Sequence, residues 1–341
     1  MKQATDFARL TSGFLNEYLP NEKGMSVNTI KSYSYAFILL IRYMHEVLKV
    51  GVDRLTFRHL NKGVLVGFLD WLQKERHCSD ATRNQRLAAL SSFIKYAEYM
   101  FPNHLYDCHQ ILSIPIKKTV NKGIDYLTID GIKLLLQQPN TQKNKGIRDL
   151  TLLSLMYESA ARVQEIIDLT PESLFIENKP YRVTLYGKGG KRRTVPLPEG
   201  EVELLRNYIA QNGSLKRENV QKPLFPNAQG QKMTRNGVNN ILMRYVKMAR
   251  EKNPSLIPDH ISCHAMRHSK AMWLLESNVQ LIHIRDFLGH KSVLTTEIYA
   301  RTNPKYTFEA VKNAYTNITE EDIPVWEGNN DLIRMLKELA K

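Results

Sequence analysis

The chain has 341 residues, with 48 Lys and Arg against 34 Asp and Glu, a formal charge of +14. A hydrophobic fraction of 43% with 17 Gly and 14 Pro is ordinary globular composition; it excludes wholesale disorder and fibrous repeats, and the length suits about two domains. No apolar run approaches the ~18 residues of a membrane span, the start MKQATDFARLTSGF lacks a signal-peptide core, and Cys78, Cys108 and Cys263 form neither a disulfide framework nor a CxxC pair. The expectation is a cytoplasmic protein in a reducing compartment. The positive charge fits either solubility or a polyanionic partner, and only its clustering can decide.

In chain order, residues 1–100 carry helical periodicity. One stretch holds Phe7, Leu10, Phe14, Leu15 and Tyr18. A second runs from Ser26 to Val47, with Ile30, Tyr33, Phe37, Leu40, Ile41 and Met44 on one stripe. A short helix over Leu60–Lys74 follows, and a last one from Asp80 to Met100 carries Leu87, Leu90, Phe93, Ile94 and Ala97. Ser26 and Ser79 or Asp80 stand where N-caps belong. Residues 101–125 hold Pro102, Pro115, Gly123 and Lys117, Lys118 and Lys122 without either periodicity, which reads as a linker. Beyond it, Thr128 or Asp130 caps a helix through Leu134–Leu136, and another begins near Arg148. Tyr181–Leu185 and Arg193–Leu197 alternate as strands about a Gly187–Gly190 turn, a β-hairpin. Helices follow at Glu199–Gln211, Thr234–Lys252, Ala265–Glu276, Leu281–Phe287 and Asp331–Lys341. The fold class is mainly α: a helical N-terminal domain and a mixed α/β domain with a small antiparallel sheet. The domains expected are 1–108, a linker 109–125, 126–312, and a tail 313–341 with an amphipathic helix.

GKGGK at Gly187–Lys191 lacks the spacing of a P-loop and sits in a hairpin rather than before a helix. No HExxH, GxSxG or carboxylate–His cluster occurs, so no metal and no cofactor is expected. A cationic and imidazole set stands out instead: Arg162 in YESAARVQEIIDL, Lys188 in LYGKGGKRRTVPL, His264 and Arg267 in ISCHAMRHS, and His290 in LGHKSVLTTEIYA with Tyr299 nine residues on. Taken singly, each has an ordinary structural reading as a solvated or capping charge, a helix-face neighbour or a packed ring.

Together they resemble the tyrosine recombinase/integrase family of phage integrases and Xer-like recombinases, whose pattern is Arg, Lys, His-x-x-Arg, His or Trp, then Tyr. The resemblance spans roughly residues 5–310, including SVNTIKSYSYAF and SDATRNQRLAALSSFIKYA, which are similar to the family's helical core-binding domain. Glu165 matches an acidic residue usual in the family, and ESAAR replaces the common TGLR, at the cost of a turn glycine. The resemblance implies a site-specific enzyme that cleaves and rejoins DNA through a 3′-phosphotyrosine without metal or ATP. Tyr299 would be the nucleophile, a weak one at a free pKa of ~10. Arg162 and Arg267 would bind non-bridging oxygens with paired hydrogen bonds. Lys188 would protonate the leaving 5′-oxygen, His264 and His290 would take the phenolic proton or brace the phosphate, and Glu165 would orient His264 or an arginine.

The family clamps DNA between its two domains, which makes DNA contacts of several basic or polar stretches. These are Asn28, Lys31 and Tyr35 on the second helix; Arg83, Arg86 and Lys95 on the Asp80–Met100 helix; Lys117 and Lys118 in the linker; Lys191, Arg192 and Arg193 after the hairpin turn; and Thr234, Arg235, Asn236 and Asn239 opening a helix. The implied partner is double-stranded DNA with inverted-repeat sites, bound as a dimer on one site and a tetramer in synapsis, with no membrane involved. Such enzymes serve integration or transposition of mobile elements, or an Xer-type role in a host. The tail is acidic at Glu320, Glu321, Asp322 and Glu327, and its last helix has an apolar stripe of Leu332, Ile333, Leu336 and Leu339. That stripe packs in cis or docks on a neighbouring protomer. A type IB topoisomerase and a regulator without catalysis are the competing readings; the LGHKS…Y context disfavours the first and the intact catalytic set the second.

Overall fold

The computed structural model describes residues 4–101, 104–119, 123–187, 190–213, 221–302 and 330–340. The chain divides into two compact units, 1–122 and 123–341. Among the described residues no helix is long and apolar enough to cross a membrane.

The first unit is a helical bundle. Helix α1 (Asp6–Gly13) continues with wider turns through Phe14–Glu22, around Pro20. Helices α2 (Val27–Glu46), α3 (Lys62–Lys74) and α4 (Asp80–Met100) follow. Ser26 and Ser79 are the N-caps expected: each Oγ accepts the backbone N–H three residues on, at 3.3 Å. The periodic apolar residues converge on one aromatic core. The Phe93 ring lies 5.0 Å from Phe37 and 5.4 Å from Phe14, both edge-on. Each such ring removed from water contributes about 1.5–3 kcal/mol.

Helix α5 (Leu105–Leu112) corrects the reading of residues 101–125 as free of regular structure. Its inward stripe is only Cys108 and Ile111, both fully buried in the same core. Two turns hold too few apolar residues to display a period, and tertiary packing rather than local pattern sustains the helix.

The second unit is built on α7 (Asn144–Glu158), whose Leu152, Leu153, Leu155 and Met156 are fully buried. Around it lie α6 (Ile129–Leu136), α9 (Glu199–Asn212), α10 (Arg235–Lys252) and α11 (Cys263–Glu276). The expected hairpin is present as β2 (Arg182–Tyr186) and β3 (Arg192–Pro196), in register Thr184 to Thr194. A short strand β1 (Leu174–Phe175), not foreseen, extends it antiparallel. Short helices α8 (Val163–Ile167), α12 (Leu281–Leu288) and α13 (Glu297–Thr302) carry the ends of the site. A separate apolar cluster of Ala160, Ala271, Met272, Leu275, Ile284, Leu288 and Tyr299 ties α11, α12 and α13 to the turn after α7. The C-terminal helix runs Asn330–Leu339, and its Ile333, Met335, Leu336 and Leu339 are all exposed.

Candidate active site

Arg162 is the residue before α8, with extended backbone, and Glu165 lies one turn in. The Glu165 carboxylate reaches back to accept the Arg162 backbone N–H and Nη1, both at 2.8 Å. It also accepts Nη1 and Nη2 of Arg193, again at 2.8 Å. Burial alone would push this carboxyl upward; hydrogen bonding and charge from Arg193, then the Arg162 contacts, reverse that and hold it below its ordinary value. Glu165 is therefore a buried anion that fixes two arginines. Of the two partners expected for it, an arginine is the one its hydrogen bonds reach.

Helix α11 supplies His264, Arg267 and His268. Arg267 is 3% exposed, and its Nη1 and Nη2 donate to the Ala160 carbonyl at 2.7 Å and the Leu288 carbonyl at 2.5 Å. Burial, then the charges of Arg162 and Arg193, lower its guanidinium to about 9, still protonated at neutral pH. Gly289 ends α12 at φ +65°, and His290 follows with Nδ1 3.0 Å from Thr296 Oγ1. Burial, then Arg267, Arg162, Arg193 and His268, lower His290 to about 4. His264 is lowered by burial, Arg267 and Arg162. Both imidazoles are thus neutral at pH 7 in the free chain.

Tyr299 on α13 is 1% exposed, and its hydroxyl lies 2.9 Å from His268 Nδ1. Burial raises the phenol pKa, while Arg267 and Arg162 pull it down. Five expected residues, Arg162, His264, Arg267, His290 and Tyr299, therefore share one electrostatic neighbourhood. Lys188 lies outside the described residues, as do residues 303–329 of the acidic tail. No group of three or more His, Cys, Asp or Glu among the described residues is placed to hold a metal ion.

Two of the residues expected to contact DNA are buried and hydrogen-bonded within the chain. Arg193 has a side chain only 12% exposed; besides its two bonds to Glu165, its Nε donates to the Phe287 carbonyl at 3.1 Å. Arg83 is 4% exposed and donates to Asn84 and the Pro115 carbonyl. The sequence held the signal for both. Arg193 shares a strand face with Val195 and Leu197, and Arg83 shares a helix stripe with Leu87 and Leu90. Among the others, Asn28, Lys31, Tyr35, Lys95, Lys117, Lys118, Lys191, Arg192, Thr234, Arg235 and Asn236 are exposed. Lys117 Nζ donates to Gln73 and Arg235 Nε to Gln164. Arg86 is half-buried, stacked 5.0 Å from the Tyr35 ring and bonded to the Ser32 carbonyl. Asn239 is half-buried beside the Cys263 thiol. His268 carries no signal of its own in the sequence motif, although it follows Arg267 directly and lies one turn beyond His264.

Among the described residues, two arginines thus stand beside imidazoles and a phenol, with Glu165 as the buried carboxylate that pairs Arg162 with Arg193, the arrangement expected from the resemblance to tyrosine recombinases. Residues 125–305 match the phage integrase family, and residues 13–99 match the phage integrase N-terminal SAM-like domain. The tyrosine recombinase XerD of Staphylococcus epidermidis is 30% identical over 291 residues, 85% of this chain and 92% of the relative. XerC of Pelotomaculum thermopropionicum is 29% identical over 314 residues, 87% and 94% of the two chains. In fold, the chain resembles the XerH site-specific recombinase bound to palindromic difH substrate, with a TM-score of 0.66 at 21% identity over 88% of this chain and 84% of that one. It also resembles the Tn1549 transposon integrase in complex with transposon right end DNA, with a TM-score of 0.67 at 14% identity over 89% and 98%. The chain belongs to the phage integrase family of tyrosine recombinases, and its activity is site-specific DNA recombination.

Proposed function

We propose that this recombinase cleaves and rejoins DNA strands through a 3′-phosphotyrosine at Tyr299, using neither metal nor ATP. The observation that carries the reading is convergent charge: Arg162 and Arg267 both act on His264, on His290 and on the Tyr299 phenol. Attack on a phosphodiester builds negative charge on its non-bridging oxygens. Planar guanidiniums answer that charge with paired donors, and removing one preorganised donor costs about 2.7–4 kcal/mol in comparable sites. Arg162, 37% exposed along its side chain, is open to such a ligand. Arg267 would exchange a backbone carbonyl for a phosphate oxygen. As the Oη–P bond forms the P–O5′ bond breaks, and Lys188 gives the 5′-oxygen its proton. One phosphodiester replaces another, so no ATP is consumed. His264 and His290 brace the phosphate.

The partner is duplex DNA bearing inverted repeats, a reading supported by the DNA complexes of the XerH and Tn1549 recombinases. The transposon integrase also favours a mobile-element role, in the cytoplasm where the element's DNA resides. The exposed stripe of Ile333, Met335, Leu336 and Leu339 supports docking of the C-terminal helix on a neighbouring copy, giving dimers on one site and tetramers in synapsis.

Covalent capture tests the reading and identifies the target sequence in the same experiment. A pool of nicked duplexes with a randomised centre is incubated with the protein, and DNA retained by the protein in detergent is sequenced. The expected outcome is enrichment of one inverted-repeat sequence attached at Tyr299, and no adduct from Tyr299→Phe despite near-normal binding. An adduct of equal yield from Tyr299→Phe overturns the assignment.

A further inference from the structure

The proton on the Tyr299 phenol needs an acceptor, and the hydroxyl's hydrogen bond goes to neither of the two histidines of the motif. His290 Nδ1 is engaged by Thr296 Oγ1 at 3.0 Å. His264 meets the edge of the His268 ring, with centroids 5.7 Å apart. Helix α13 packs on α11 and brings the phenol onto the histidine one turn further along, with His268 Nδ1 2.9 Å from Tyr299 Oη.

We propose that His268 is the base that receives the phenolic proton of Tyr299, an inference that rests on Tyr299 being the nucleophile. The phenolic O–H bond breaks and its proton moves to Nδ1. The oxygen's electron pair forms the Oη–P bond, the P–O5′ bond breaks, and the 5′-oxygen leaves with the proton supplied by the acid. His268 is a catalytic residue in the strict sense, since it touches the reacting oxygen.

The surroundings explain why the transfer waits for DNA. His268 faces His264 and Arg267 on its own helix, His290 after α12, and the phenol from α13. Burial, then His264 and Arg267, lower its imidazole to about 4, so Nδ1 is free of a charge-bearing proton at neutral pH. Burial meanwhile raises the phenol. Transfer in the free chain is therefore uphill. A phosphodiester bound to Arg162 and Arg267 brings negative charge beside these cations. That charge offsets their opposition to an imidazolium, so the base strengthens as the substrate arrives. Arg267 and Arg162, which already favour the ionised phenol, hold the phenolate toward the phosphorus.

The test uses the full chain and the duplex recovered by covalent capture, with single-turnover adduct formation followed from about pH 5.5 to about pH 9.5. His268→Gln is expected to lose about 100-fold near pH 7. The deficit should narrow by up to about tenfold per pH unit in alkali, where hydroxide ionises the phenol directly. Added imidazole should restore part of the rate to His268→Ala and none to Tyr299→Phe. A loss that is uniform across pH, or no loss, overturns the inference. If the variants melt before assay, the unsubstituted chain still decides: nitrogen-15 histidine spectra should show the His268 pKa rising when uncleaved duplex binds, and a static value rejects the proposal. An unsubstituted chain that forms no adduct at all rejects the recombinase reading first. Adduct formation with an unchanged His268→Gln profile rejects only this inference.

Discussion

Two glutamates, almost equally buried, mark two differently built regions of the second unit. Glu165 is 3% exposed and Glu201 is 4% exposed. Glu165 sits under the active site with its carboxylate shared between Arg162 and Arg193, and it stays ionised. Glu201 sits in the seam between α9 and α7, where Ser154 donates to one oxygen at 2.5 Å and the other oxygen has no partner. Burial, assisted by Glu158 and opposed by Ser154 and Lys270, pushes it up to about 8. The contrast shows that partners rather than depth decide whether an acid is charged. Where two guanidiniums are held together, the chain maintains a buried anion. Away from that task, the same residue type keeps its proton.

The largest expected effect comes from breaking the first region. Glu165→Gln preserves shape but leaves Arg193 buried without its counter-charge, and removing one partner of a buried pair costs about 3–5 kcal/mol. The sign with pH follows from the lowered carboxyl. The stabilisation is complete above the unfolded value and fades as pH falls through the lower folded value. Melting curves of the two proteins should therefore differ widely at pH 7 and converge in acid. Curves that stay equally far apart at every pH would contradict the ionised state of Glu165.

Glu201→Gln should act in the opposite direction. The folded carboxyl, raised to about 8 from an ordinary 4.5, keeps its proton where the unfolded chain has released one. Stability of the parent therefore declines as pH climbs through that interval, whereas the glutamine, which mimics the protonated acid, escapes the decline. We expect the variant to match the parent near pH 4 and to exceed it by about 2–4 kcal/mol near pH 8 to 9, read from denaturant midpoints. Parallel curves would mean that Glu201 does not titrate in that range.

Much of this chain is legible in its sequence because its helices are long. In α2 and α4 the apolar stripes repeat often enough to declare both the helix and its inward face, and Ser26 and Ser79 announce their starts. The five residues of α8 and six of α13 are too few to show a period, yet they carry Glu165 and Tyr299. The proposed catalytic set is readable from order and spacing, a chemical signature independent of element length. Its wiring is not. That Glu165 ties Arg193 to Arg162 depends on β3 lying beside α8, a contact 28 residues apart in sequence. His268 is hidden for the same reason, since only the fold brings α13 onto α11.

A smaller perturbation reaches the first region from its edge. Gly289 has φ +65°, and a Cβ there would lie 2.9 Å from Arg193 Cδ. Arg193 has little freedom to yield, because all three of its nitrogens are hydrogen-bonded. Gly289→Ala should cost about 2 kcal/mol through left-handed strain and displacement of that side chain. It should also weaken adduct formation, because Arg193 and Arg162 share one carboxylate. A melting temperature equal to the parent's would mean that the arginine repacks freely.

The smallest effect is expected at the turn that joins the two regions. Helix α7 presents Ser154 to Glu201, and Arg162 follows the helix toward Glu165; Ala160 lies between, at φ +45°, fully buried, with its carbonyl accepting Arg267 Nη1 at 2.7 Å. Here an alanine bears a left-handed backbone that glycine adopts without a Cβ penalty. Ala160→Gly should recover about 1–2 kcal/mol of left-handed strain. Against that stand about 0.8 kcal/mol for the lost buried methyl and about 0.4–1 kcal/mol for the freer unfolded chain. These terms nearly cancel, so the variant should melt within a few degrees of the parent, a net change below about 1 kcal/mol. The methyl packs in the same cluster as Tyr299. A destabilisation well beyond that bound would therefore show that Ala160 wedges the Tyr299 phenol in place against His268.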